Sequence, residues 1–342
     1  MKHYLGIDLG GTNIATGVID ENYRFVARHS VPTRGARPFE AVVRDIAAAA
    51  RAVVKQAGLT EKDIGYAGIG APSTIEPGTQ RVVFANNLGW KKADFVGEFK
   101  KHWDVPVHIA NDADCAALAE SVAGAAKGYD NVLMLTLGTG VGGSFVMNRK
   151  IYLGGNGYGC EPGHSTLVYN GVQCTCGRRG CLEAYASVTA LIRETIEMMA
   201  ACPASLMCEM CGGNMSRVSG RTAFDAAKQG DEAALQVVHN YVEYLAAGIG
   251  SLVTAFRPTV VILGGGLSNE GEYLLGPVRR RVGETVYASN LMDPPAILKA
   301  ALGQRRGHHR RRAAGRVTPA SAGKGPHALR RGPFSQKRGG SR

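Results

Sequence analysis

No stretch of this chain approaches the roughly 18 consecutive apolar residues that a membrane-spanning helix requires. The N-terminus carries no basic flank, apolar core region or small-residue cleavage site, and it reaches Asp8 after one short strand-like stretch. These absences point to a soluble protein with a cytoplasmic address and no membrane partner. Cysteine is also scarce: eight in 342 residues are too few for a disulfide scaffold. In the cytoplasm they stay reduced, so their spacing speaks for metal binding or packing. Acidic residues are missing from one place in particular. From Arg305 to Arg342 there are 12 Lys and Arg and no Asp or Glu. The whole chain has 40 basic and 28 acidic residues, so its net charge of +12 lies entirely in that tail and the rest is neutral. A basic arm would bind nucleic acid electrostatically, but that inference covers the tail alone. No specific nucleic-acid partner is expected of the remainder.

What is present is an apolar fraction of 45% in a chain long enough for two domains. Two segments look alike: "YLGIDLGGTNIATGVID" (Tyr4 to Asp20) and "VLMLTLGTGVGGSFVMN" (Val132 to Asn148). Each reads as a strand, a Gly/Thr-rich turn and a second strand, so the chain holds a weak internal duplication built on two hairpins. Helical spacing follows over Val42 to Ala57, Ala113 to Gly124 and Thr222 to Phe256. Pro258 ends the last of these, and "TVVIL" then reads as a buried strand running into Gly264, Gly265 and Gly266. The fold class is α/β. A boundary near Asn111 gives domains 1–111 and 112–303, followed by the basic tail 304–342.

Glycine-rich turns let backbone N–H groups approach a phosphate with no Cβ in the way, and a Thr hydroxyl adds a donor. Two such loops could hold one triphosphate between them. Gly138, Gly140 and Gly143 also fit G-x-G-x-x-G, but that dinucleotide fingerprint needs a helix directly after the loop. "SFVMNRKIY" reads as strand and turn, which excludes a dehydrogenase.

"GIDLGGTN" and "LGTGVGG" resemble the two phosphate motifs of the actin-like sugar kinases, in the branch called the ROK family (repressors, open reading frames and kinases). The resemblance runs from Tyr4 to about Gly303, with the motifs in family order. It implies a two-domain actin-like (ribonuclease H-like) ATPase fold that uses ATP and Mg²⁺ to phosphorylate a hexose, glucose to glucose 6-phosphate. The alternative is another hexose or an N-acetylated amino sugar such as N-acetylmannosamine. A homo-oligomer, dimer or tetramer, is implied as well. By the same resemblance Asp8, Gly10, Gly11, Thr12 and Asn13 form the first phosphate loop, with Asp8 helping to place Mg²⁺. Gly138, Thr139 and Gly140 form the second, and Gly264, Gly265 and Gly266 lie close to the nucleotide.

"HIANDADCAALAE" puts Asn111 and Asp112 just after an apolar strand and at the start of a helix, where both residue types are favoured caps. Transfer of a phosphoryl group to a sugar hydroxyl needs a carboxylate that accepts the hydroxyl proton, and the resemblance makes Asp112 that base. It also makes Asn87 of "FANNLGW", together with Asn111, Asp112, Glu161, His164 and Glu183, contacts of the sugar. Cys160 and Pro162 depart from the family's usual residues beside Glu161. His164, Cys174, Cys176 and Cys181 form a Cys₃His set that suits tetrahedral structural zinc and matches the family's zinc motif. Cys202, Cys208 and Cys211, among several methionines, read as packing in a helical insertion, and Cys115 as a small core residue. Repressors of this family carry a DNA-binding domain before the first phosphate loop; seven residues precede Asp8 here, so an enzyme is expected.

Family members commonly close with a segment like L-G-N-D-A-G-I-I-G-A-A, of which Leu302 and Gly303 are present here. Writing Gln304 to Arg312 as CAA CGA CGC GGG CAT CAT CGG CGC CGC and dropping the first base yields N-D-A-G-I-I-G-A. Residues 304–342 therefore read as a frameshifted translation, and their Gly, Pro, Ser and charge content reads as disorder.

Overall fold

The computed structural model describes residues 2–85 and 88–302. The expected sugar contact Asn87 and the reading of the tail 304–342 lie outside the described residues. The first expected hairpin forms from β1 (His3–Leu9) and β2 (Asn13–Ile19), and β3 (Phe25–Pro32) extends it antiparallel. Strand alternation sends Leu5, Ile7 and Leu9 to one face, where they meet Val42, Ile46, Ala50 and Val53 of α1 (Phe39–Gln56). β4 (Ile64–Ala71) joins β1 in parallel, a small antiparallel sheet of β5 (Thr74–Ile75), β6 (Val82–Ala85) and β7 (Trp90–Ala93) follows, and after α2 (Phe95–Lys100) β8 (Val107–Asn111) joins β4 in parallel. The resulting sheet has the order β3-β2-β1-β4-β8.

The second half repeats this plan. After α3 (Asp112–Ala123), the hairpin of β9 (Val132–Leu137) and β10 (Val141–Met147) is extended by β11 (Lys150–Ile151). Beyond the loops that carry the cysteines come α4 (Glu183–Ala186), α5 (Val188–Ala201), α6 (Leu206–Met210), α7 (Thr222–Ala227) and α8 (Glu232–Phe256). β12 (Val260–Gly264) then pairs in parallel with β9, and after α9 (Glu272–Thr285) β13 (Ala296–Lys299) pairs with β12. The order β11-β10-β9-β12-β13 matches the first sheet strand for strand, which turns the faint repeat of two hairpins into a duplicated topology.

One face of this sheet, through Val132, Met134, Val260 and Ile262, packs on Ala116 and Ala117 of α3. The other, through Leu133, Leu135 and Val261, packs on Tyr241, Leu245, Ile249 and their neighbours from α8. The helix expected as one run from Thr222 to Phe256 is broken into α7 and α8. Gly230 at φ +87° turns the chain, and Asp231 then caps α8 by accepting from Ala234 N–H. Cys211 is buried in the core and the Cys208 thiol donates to the carbonyl of Met199 (3.6 Å), in line with packing. Among the described residues no helix is long and apolar enough to cross a membrane.

Candidate active site

The three glycine runs and the Asn111-Asp112 pair each follow the carboxyl end of a strand that takes part in parallel pairing. Gly10 to Thr12 leave β1, Asn111 and Asp112 leave β8, Gly138 to Gly140 leave β9, and Gly265 and Gly266 leave β12. In open α/β sheets that edge is where ligands bind, because the loops there are free to vary while the strands hold them in register.

The first loop is tied from behind. Gly10 N–H donates to the carbonyl of Asn13 (2.9 Å), Thr33 N–H donates to the carbonyl of Thr12 (2.8 Å), and the Thr33 hydroxyl donates to the carbonyl of Gly10 (2.6 Å). With the carbonyls held to that side, Gly11 stands over open space. Asp8, half-buried, sits on β1 just before this turn. Thr33, fully buried just after β3, escaped the sequence reading, because nothing local marks it.

The second loop is tied similarly by the segment after the cysteines. Val188 N–H donates to the carbonyl of Gly138 (2.8 Å) and the Thr189 hydroxyl to that of Thr139 (2.7 Å). Gly265, at φ +84°, presses against the backbone of Leu137, so a side chain there would collide with the end of β9. The glycine run after β12 therefore lies directly beside the end of β9, from which the second loop leaves.

Asn111 ends β8 and caps α3. Its Oδ1 accepts from Ala113 N–H (2.8 Å) and Asp114 N–H (3.3 Å), and its Nδ2 donates to the carbonyl of Ser73 (3.2 Å). Asp112 is the first residue of α3, where the exposed N–H groups of the helix favour negative charge. Asp114, not anticipated, accepts from the buried Ser144 hydroxyl (2.6 Å). Burial and then the charge of Asp112 raise its carboxyl to about 6, against the lowering effect of that hydrogen bond. Burial raises Glu161 from the ordinary 4.5 to about 7, helped by Asp114, Asp112 and Glu183 in that order. Glu161 thus feels the charge of the other three carboxylates, and Asp114 that of Asp112.

His164 and the three cysteines of the expected set come together, with all ligand atoms within 4.8 Å of one another. His164 Nδ1 lies 3.6 Å from Cys174 Sγ, and Cys176 Sγ lies 3.7 Å from Cys181 Sγ. Glu183 adjoins them: its Oε1 accepts from the Thr175 hydroxyl (2.8 Å) and the Cys174 thiol (3.5 Å), while its Oε2 accepts from Val141 N–H (3.0 Å). Its placement beneath the second phosphate loop was not foreseen.

Comparison with known proteins identifies the family. The family model described as the ROK family matches residues 4–309. The glucokinase of Streptomyces coelicolor is 33% identical over 305 residues, spanning 89% of this chain and 94% of that protein. The glucokinase of Thermotoga maritima is 35% identical over 308 residues, spanning 87% and 95%. Among solved structures, a ROK family glucokinase from Streptomyces griseus in complex with glucose and AMPPNP is 33% identical with a TM-score of 0.79, covering 92% of this chain and 98% of that one. The duplicated sheets are those of the two-domain actin-like sugar kinases, and the chain belongs to the ROK family.

Proposed function

We propose that this protein transfers the γ-phosphoryl group of ATP to a hexose, and that the hexose is glucose, phosphorylated at O6. The observation that carries the reading is the placement of Asp112, a carboxylate at a helix start, at the carboxyl end of β8, on the sheet edge where the first glycine loop leaves β1, with the second glycine loop at the corresponding edge of the repeated sheet. The relatives that share 33 to 35% identity with this chain are glucokinases, and the solved one held glucose with an ATP analogue. In this reading Asp112 accepts the proton of the sugar hydroxyl as its oxygen attacks the γ-phosphorus in line. Backbone N–H groups of the loops around Gly10 to Asn13 and Gly138 to Gly140 cradle the phosphates, and Gly264 to Gly266 line the nucleotide. Asp8 would hold Mg²⁺, which when bound with the nucleotide neutralises phosphate charge. Asn111, Glu161, His164, Glu183 and Asn87 orient the sugar.

The chain divides between Asn111 and Asp112, so the two sheets can close over the substrates and exclude the water that would otherwise attack the same phosphate. A panel of glucose, mannose, N-acetylglucosamine and N-acetylmannosamine in an ADP-release assay tests the substrate. Glucose is expected to give the highest kcat/KM, and a higher value for either acetylated sugar would replace it.

The Cys₃His set fits zinc. A tetrahedral ion with ordinary bond lengths separates sulfur from sulfur by about 3.8 Å and sulfur from nitrogen by about 3.6 Å. Two of the six separations, 3.7 and 3.6 Å, fall on those values, and all six lie within 4.8 Å. His164 turns Nδ1 to the cluster, which leaves Nε2 for the sugar. Zinc here would stiffen the loop that bears the sugar contacts rather than take part in transfer. Removal by a chelator is expected to raise the glucose KM about tenfold, with activity recovered on adding zinc. An unchanged KM in protein stripped of metal would contradict this role.

The raised carboxyl of Glu161 makes a pH prediction. Its folded-state pKa of about 7 lies above the ordinary 4.5, so the native protein binds the extra proton between those values. Its contribution to stability is therefore fully present at low pH and is lost as pH rises through that window. Sugar hydroxyls donate best to the ionised form, so glucose kcat/KM should climb as pH approaches 7. Glu161→Gln should lower kcat/KM and flatten that limb; a limb of the same shape in the variant would assign the titration elsewhere.

A further inference from the structure

Glu183 joins two loops that serve different substrates. Its Oε1 is held by the Thr175 hydroxyl (2.8 Å), between the metal-ligand candidates Cys174 and Cys176. Its Oε2 holds the backbone N–H of Val141 (3.0 Å), the residue that follows the second phosphate loop. A Cβ on Gly140 would run into Oε2. Gly140 has no unusual φ, so a side chain there would meet only this carboxylate and would have to push it aside. The loop's carbonyls at Gly138 and Thr139 are fixed by Val188 and Thr189, just beyond Glu183 in sequence. One short stretch, residues 183–189, thus sets the loop from beneath.

We propose that Glu183, locked in place by Thr175, is a positioning strut through which the Cys/His loop sets the geometry of the second phosphate loop and so the affinity for nucleotide. The inference rests on the kinase reading, in which Gly138 to Gly140 receive phosphate. A carboxylate offers about four acceptor positions. Thr175 and Val141 use two of them, and Cys174 bound to metal as a thiolate has no proton to donate, so room is left for a sugar hydroxyl and the strut and a sugar contact are compatible. The proposal also makes Thr175 part of the site: its hydroxyl holds Glu183, and Glu183 holds Val141 N–H.

The test is calorimetric binding of Mg²⁺·ADP without sugar, with zinc content measured on each protein. Thr175→Val is expected to weaken ADP binding about three- to tenfold, the scale of one lost hydrogen bond, and Thr175→Ser to restore it. Glu183→Ala should weaken it at least as much. Glu183→Gln should keep most of it, because the amide oxygen can accept from Val141 while its nitrogen donates to Thr175. Wild-type ADP affinity in Thr175→Val at full zinc content overturns the strut, as does wild-type affinity in Glu183→Ala. If Thr175→Val loses zinc, the Glu183 pair decides alone. A parent protein that binds ADP but phosphorylates no hexose would sink the kinase reading; the ADP affinities of the variants judge the strut separately.

Discussion

Asp112→Asn is expected to lower kcat by about two to four orders of magnitude while leaving the glucose KM within a few-fold of the parent. The substitution removes one proton-accepting group and little else. The Asn side chain is of the same size, and its oxygen can still accept from Ala113 N–H as Asp112 does now (2.9 Å). Ala113 N–H also keeps its bond to Asn111, so the start of α3 stays capped. A loss confined to kcat is the signature of a group that acts in the transition state rather than in binding. A kcat within tenfold of the parent would remove Asp112 from the role of base.

Glu120→Ala is expected to destabilise the fold by about 3 to 4 kcal/mol, read as a shift in urea denaturation with the slope unchanged. Glu120 is wholly buried, and its carboxylate accepts from three backbone N–H groups: Ala125 (2.8 Å), Ala301 (3.0 Å) and Leu302 (2.8 Å). Truncation leaves those donors without their acceptor and opens a cavity beneath the end of α3. Because Ala301 and Leu302 are where β13 hands over to the final segment, the same variant should loosen the C-terminal end first. Hydrogen exchange at Ala300 to Leu302 would report it, and a change under about 1 kcal/mol would show that water satisfies these groups instead.

The sequence made some of this visible and concealed the rest for physical reasons. Both hairpins were legible because alternation and glycine turns are local signals. The helix start at Asn111 and Asp112 was legible because both residue types favour helix caps, and the Cys₃His cluster because its members lie close in sequence. Glu120 left only a trace, a charged residue at helical spacing from Ala113, Ala116 and Ala117 on a buried face. Its partners Ala301 and Leu302 lie 181 and 182 residues away, beyond any local pattern. Thr33 and Thr175 are likewise ordinary until the chain folds and brings a loop carbonyl or a carboxylate to each hydroxyl. The break between α7 and α8 could have been read from Gly230 and Asp231, but the apolar spacing on either side ran in phase and hid it. Glu183 was singled out as a sugar contact, and its bond to Val141 was hidden because it depends on how two distant loops meet.

The most direct measurement of the central claim is glucose-dependent ADP release with Mg²⁺·ATP in zinc-replete protein, the product being identified by phosphorus NMR. It is made on the chain as written and on one restored to the shifted frame after Gly303. The account predicts glucose 6-phosphate from the restored chain, with activity lost or reduced in the chain that bears the basic tail. No phosphorylation of glucose by either protein would contradict it.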